Sequence, residues 1–220
     1  MSMLWHKRYG HLSFKGINTL QSKDMVRGMP MFKEQEVVFT DCLNGRQTGS
    51  AIPKHSNSRA SKILELIHSD IYGPINPTSS RRKKYFLCLI DYHKRKGWIY
   101  MLANKSETFE CFKTFKDKVE KESGEQIRGL ITDRGGEYTS GEFNEYCKYH
   151  GIKRQLTNAY TPQQHGVTER RNRAIMNMVR SLLFYKKMPK YFWIEAVVWT
   201  VYLLNKYPSL SIKDTTPEEA

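Results

Sequence analysis

The order of the apolar runs limits what this chain can fold into more than any other feature. Ile63–Ile71 ends at Gly73-Pro74, Tyr85–Ile90 ends at Asp91, and Trp98–Leu102 follows Gly97 after the basic turn Lys94-Arg95-Lys96. Three runs of strand length with short connections predict an antiparallel meander. From Ser106 to Lys121 the pattern turns helical, with Phe109, Phe112, Phe115 and Val119 in one stripe and Ser106 as N-cap. Ile127–Thr132 is then a fourth strand. A helix returning the chain to the sheet makes it parallel to the first strand. Gly141–His150, stopped by Gly151 at C′, and Ile152–Leu156 add a helix and a fifth strand. The expected class is α/β, a mixed five-stranded sheet flanked by helices.

That topology sorts the carboxylates. If strands one and four are neighbours, Asp70 and Asp133 share one carboxyl edge. Asp91 ends an antiparallel strand and belongs at the opposite edge, roughly 20 Å away at 3.3 Å per residue, as a turn residue. Asp133 opens T-D-R-G-G-E-Y, where Gly135 and Gly136 allow positive φ and close approach of a backbone or a phosphate. The plainer reading of Asp133 is a cap for the next helix. Thirty-five residues separate Asp133 from Glu169, a spacing that decides little alone. Its context adds weight, since the loop at Pro162 delivers Glu169 into the first turns of a long helix. Three converging carboxylates need a cation, because like charges would push at least one pKa up. Oxygen donors without thiol or imidazole suit two Mg²⁺ or Mn²⁺ ions, an arrangement fitted to phosphodiester chemistry.

Charge agrees with such a substrate. The chain carries 36 Lys and Arg against 22 Asp and Glu, a formal net charge of +14, which implies a polyanionic partner. Arg170, Arg171 and Arg173 follow Glu169 and could track phosphates, and Tyr160, Gln163 and Gln164 in the loop 157–166 could meet bases or sugars. The long helix starts at Gly166, with Ile175, Met178, Val179, Leu182 and Leu183 inward. A last helix starts at Pro189 and stops before Pro208; its nearly all-round apolar surface asks for cover from a second copy or another domain. Scattered Cys42, Cys88, Cys111 and Cys147 fit free thiols in a reducing, intracellular setting, and no run is long enough for a membrane span.

The first 52 residues form a separate unit, joined by the polar linker 53–61. His6 and His11 resemble half of a structural zinc site, but Cys42 has Phe39 where a second cysteine would complete C-x-x-C. Either three ligands and water hold zinc, or two ordinary helix histidines sit beside a buried cysteine. The second reading asks for less.

The motifs L-W-H-K-R-Y-G-H-L-S, H-S-D-I-Y-G-P, T-D-R-G-G-E-Y and T-P-Q-Q-H-G-V-T-E-R-R-N-R, in this order, resemble the integrase segment of a copia-type LTR retrotransposon polyprotein. The resemblance implies a degenerate zinc-finger-like pre-integrase module at 1–52, an RNase H-like catalytic core at 62–187, and a hydrophobic helix with a truncated tail at 188–220. It implies an Asp-Asp-Glu polynucleotidyl transferase in which Asp70, Asp133 and Glu169 hold two Mg²⁺ ions, Asp70 bridging both. Its partners would be double-stranded element and target DNA and further copies of the chain. Its place would be the nucleus, after a cytoplasmic particle stage. His165 stands where the family pattern has Asn. A degenerate fragment that binds DNA without turnover is the competing expectation, and an RNase H-type nuclease a third.

Overall fold

The computed structural model of the chain describes residues 2–10, 14–23, 25–26, 28–30, 60–156, 162–207, 212 and 215–220. They fall into two compact units, one drawn from 1–52 and 173–220, the other from 53–172.

The second unit is built on a sheet of β1 (Ile67–Tyr72), β2 (Tyr85–Asp91), β3 (Gly97–Leu102), β4 (Gly129–Thr132) and β5 (Lys153–Leu156), in the order β3-β2-β1-β4-β5. β1 pairs antiparallel with β2, and β2 with β3, while β4 is parallel to both β1 and β5. The meander and the parallel return therefore stand as expected. Six of the seven residues of β2 are buried, which explains its unbroken apolar sequence.

One face of the sheet presents Ile67, Leu87, Leu89 and Leu130 to a core shared with Phe112, Phe115 and Val119 of α3 (Thr108–Ser123). Tyr138 of the short α4 (Gly136–Thr139) and Phe143 and Cys147 of α5 (Gly141–Tyr149) complete it. α3 ends where Gly124, at φ +72, donates its amide to Glu120 O at 2.9 Å.

Several boundaries differ from the sequence reading. β1 starts at Ile67 rather than Ile63, because the Glu65 carboxylate accepts the amides of Ser61 and Lys62 and folds the preceding residues into a turn. Leu64 stands at φ 57 and gives its amide to Asp91 Oδ2. Ser106 is no N-cap. It lies inside a 3-10 turn, Lys105–Glu107, and Glu107 Oε1 accepts the amides of Ala103 and Asn104 instead. α6 runs Pro162–Tyr185, four residues earlier than Gly166, with proline at the first helical position where its missing N–H costs nothing.

In the first unit, α1 (Ser2–Arg8) and α2 (Phe14–Ser22) accompany the later part of α6 and α7 (Trp193–Asn205), which a 3-10 turn at Lys190–Phe192 precedes. Gly10, at φ +60, has Leu203 and Met178 within 3.0 and 3.1 Å of where a Cβ would stand. Lys7 Nζ lies 4.2 Å from the Tyr185 ring centroid. α7 buries Trp193, Val197, Thr200 and Val201 but leaves Val198, Trp199 and Tyr202 about half exposed. Among the described residues, no helix is long and apolar enough to cross a membrane.

Candidate active site

Asp70 lies two residues inside the end of β1. In the parallel pairing, Ile67 faces Leu130 and His68 faces Ile131, the same offset that separates Asp70 from Asp133. Continuing that register sets the two aspartates level on neighbouring backbones about 4.8 Å apart. Asp133 is the first residue beyond β4. Asp91 is the turn residue the sequence predicts, accepting the amides of His93 and Lys94; it is also fully buried and accepts the Leu64 amide, which the sequence did not indicate. The expected 20 Å is too long, however. Asp91 pairs with Ile67, three residues from Asp70 and roughly 10 Å at 3.3 Å per residue, because Asp70 is not the strand's last residue.

Each aspartate is held by a named donor. Asn172 Nδ2 donates to Asp70 Oδ2 at 2.8 Å. The Gly135 amide donates to Asp133 Oδ1 at 3.0 Å, a local turn ahead of the next helix; Gly135 is that helix's N-cap and no side chain caps it, so Asp133 is not the cap. The glycines do not act as expected, since Gly135 sits at φ −55 and Gly136 is not left-handed. A Cβ at position 135 would lie 2.7 Å from the Glu137 carboxyl carbon, the movable end of that side chain. Glu137 in turn pairs with Lys105 at 3.3 Å.

On the core side, Ser69 Oγ and the Tyr138 hydroxyl are 2.8 Å apart and buried. Burial pushes the Tyr138 phenol well above its ordinary value; the Ser69 hydrogen bond opposes this, and Asp70, Asp133 and Glu137 add to it. Both aspartates thus act electrostatically on one hydroxyl, and that hydroxyl stays neutral. Cys88, paired with Asp70 across the sheet, is pushed up to about 12 by burial, against the pull of Arg171.

The helix residues divide. Arg171 is turned inward, its Nη2 3.2 Å from where a Cβ on Gly97 would be, and burial lowers its pKa. Glu169, Arg170 and Arg173 are exposed. Arg170 lies back over Gly166, where a Cβ would meet its Nη1 at 2.6 Å. Glu169 precedes Asn172 by three residues and so shares its side of α6. Among the described residues no three His, Cys, Asp or Glu side chains come together closely enough to hold a metal ion. The β1–β4 register leads Asp70 and Asp133 toward one edge; Glu169 stands on the helix that Asn172 ties to Asp70. Two level carboxylates and the buried Asn172 Oδ1, which has no hydrogen-bond partner among the described residues, form an oxygen donor set that fits a hard divalent cation.

Sequence reading missed Asn172. Its only signal was one amide amid four charged residues in E-R-R-N-R, within a turn of Glu169. Gln163 and Gln164 fall in the first turn of α6, and His6 is buried in α1. Tyr160, His11, Phe39 and Cys42 lie outside the described residues, and with them the zinc question.

The integrase core domain family matches residues 60–162, a span that includes Asp70 and Asp133 and stops short of Glu169. The GAG-pre-integrase domain family matches residues 1–47. The chain is 43% identical over 216 residues to the "Retrovirus-related Pol polyprotein from transposon TNT 1-94" of Nicotiana tabacum, covering 98% of this chain and 16% of that protein. It is 30% identical over 217 residues to the corresponding polyprotein from transposon RE2 of Arabidopsis thaliana, covering 97% and 14%. It therefore spans about a sixth or less of the curated relatives it matches.

Among solved structures, it resembles a chain of the simian T-cell lymphotropic virus intasome in complex with PP2A regulatory subunit B56 gamma. There the TM-score is 0.60 at 16% identity, over 80% of this chain and 60% of that one. The catalytic core domain of BIV integrase gives 0.53 at 19%, over 71% and 92%. The HTLV-2 integrase catalytic core domain in complex with magnesium, in a trimeric form, gives 0.54 at 18%, over 73% and 98%. At these identities the likeness establishes the fold, an RNase H-like arrangement.

Proposed function

Because the chain belongs with the integrase segments of copia-type LTR retrotransposon Pol polyproteins, we propose that it carries an Asp-Asp-Glu polynucleotidyl transferase site that processes element DNA ends and joins them to target DNA. The observation that supports this reading is the parallel register of β1 and β4, which runs toward Asp70 near the end of one and Asp133 just past the other, with Asn172 holding Asp70. Asp70, Asp133 and Glu169 are the proposed ligands of two Mg²⁺ or Mn²⁺ ions. Bound there, such ions would favour the deprotonated attacking oxygen and stabilise the leaving one.

The chain's own residues prepare that site. Asn172 fixes the direction of Asp70, and the Gly135 amide fixes that of Asp133. The neutral Tyr138 hydroxyl, bound to Ser69, backs both aspartates without adding charge. Exposed Arg170 and Arg173 follow Glu169 in sequence on α6, where they can contact phosphates, and Gln163 and Gln164 stand in the first turn of the same helix. Residues 1–52 are proposed as the pre-integrase module and 62–187 as the core, acting in the nucleus on double-stranded DNA. Half-exposed Val198, Trp199 and Tyr202 on α7 support self-association.

Strand transfer with labelled terminal-repeat ends and Mg²⁺ or Mn²⁺ tests the assignment. Asp133→Asn is expected to lower product by at least about 100-fold, the upper end of what losing a supporting partner costs a metal site. Product that ignores the substitution overturns it. Salt-sensitive binding by the parent chain without any product favours the binding-only reading.

A further inference from the structure

Two basic hairpin tips flank the sheet, and they are built differently. The β2–β3 tip, Lys94-Arg95-Lys96, lies at the edge of Asp91, away from the aspartate pair. All three of its residues are partly buried, Arg95 stacks on the Tyr92 ring at 4.2 Å, and Lys96 sits 5.6 Å from the Trp98 ring centroid. The β1–β2 connection, residues 73–84, leaves the sheet two residues after Asp70, at the carboxyl edge.

That connection is ordered by its own hydrogen bonds. Ile75 N donates to Lys84 O at 2.7 Å, Arg82 N to Ser79 O at 2.9 Å, and Lys84 N to Leu102 O at 3.0 Å. Buried Ser79 accepts the Lys83 amide on its hydroxyl at 3.0 Å. Lys83 is neutralised by Glu107 at 3.0 Å. Lys105, in the same 3-10 turn as Glu107, reaches Glu137 at 3.3 Å, and Glu137 packs on Gly135 beside Asp133. These contacts tie the tip to the rim of the site. Arg81, Arg82 and Lys84 remain exposed, and no acidic side chain among the described residues pairs with them. Arg82 holds φ +58, a left-handed backbone that an arginine rarely adopts.

We infer that Arg81, Arg82 and Lys84 form a phosphate-contacting wall along which a DNA strand runs as it crosses the Asp70–Asp133 edge. The inference rests on the integrase reading and deepens it, naming a strand path that the α6 arginines alone do not define. Lys83 is spent on Glu107, so three charges face the strand. The β2–β3 tip, at the other edge and packed on its own rings, contributes little.

The salt dependence of DNA binding tests this, because each phosphate contact adds about 0.9 to the slope of log K against log salt. The full 220-residue chain is titrated onto a fluorescein-labelled 30-base-pair duplex between 50 and 200 mM NaCl. The variant Arg81→Ala/Arg82→Gly/Lys84→Ala, whose glycine suits the left-handed position, is expected to reduce the slope by about 2 to 3. Lys94→Ala/Lys96→Ala should change it by less than about 1, and Arg81→Lys/Arg82→Lys should keep it. Salt-sensitive parent binding with an unchanged slope in the triple variant, or an equal loss in the control, overturns the wall and leaves the integrase reading standing. A parent chain with no salt-sensitive binding overturns both. A melting curve superposable on the parent's separates lost contacts from lost fold.

Discussion

At the scale of single residues, Asn172 controls Asp70 through one hydrogen bond. Replacing it with leucine removes the donor, so Mn²⁺ affinity measured by electron paramagnetic resonance should fall about 10-fold, the lower end of what losing a side chain that orients a metal ligand costs. Two glycines separate crowding that yields from crowding that does not. A Cβ at Gly73, which holds φ +134, would stand 2.7 Å from the Lys84 backbone oxygen. Gly73→Ala should therefore cost at least about 2 kcal/mol in chemical denaturation. Gly135→Ala would meet only the end of the Glu137 side chain, which can swing away, and should cost less than about 1 kcal/mol. Asp70 and Asp133 were legible in the sequence because apolar strand patterns run up to both. Asn172 was not, since a lone helical amide has no periodicity, and its meaning depends on a strand 102 positions away.

Among the elements, strands announced themselves better than the turns between them. β2 and β3 matched to within a residue, β2 because burial demands a continuous apolar run and β3 because Gly97 and the basic turn before it mark its start. The starts of β1, α3 and α6 were misplaced because acids and a proline set them, through Glu65, Glu107 and Pro162. Glu107 is the informative case. Burial pushes its carboxyl up, but the Lys83 hydrogen bond and the Asn104 and Ala103 amides outweigh it and hold it below the usual range. A depressed folded-state pKa stabilises the fold above the unfolded value, and that contribution disappears as pH falls through the folded one. Glu107→Gln should accordingly lower the melting temperature at pH 7, and the gap to the parent should close below about pH 4. A gap that persists at pH 3 would assign the effect to packing rather than charge.

For the molecule as a whole, the exposed side of α7 makes self-association measurable. Trp199 and Tyr202 stack at 5.4 Å between ring centroids on that side. Replacing both with serine should shift light-scattering mass toward the monomer at micromolar concentration, with the melting curve kept. The apolar excess of this helix was plain from its composition, but which side stays bare depends on packing that no single helix encodes. The β1–β4 register has a consequence for how such chains can diverge. Lengthening a connection costs only about 0.6 kcal/mol per doubling, so the residues between the two aspartates can grow or shrink as lineages separate. A single residue gained or lost inside β1 or β4 would turn one carboxylate to the other face of the sheet. Length variation should therefore spare Ile67–Asp70 and Gly129–Asp133, which makes those two short segments the place to look first when asking whether a copy is still intact.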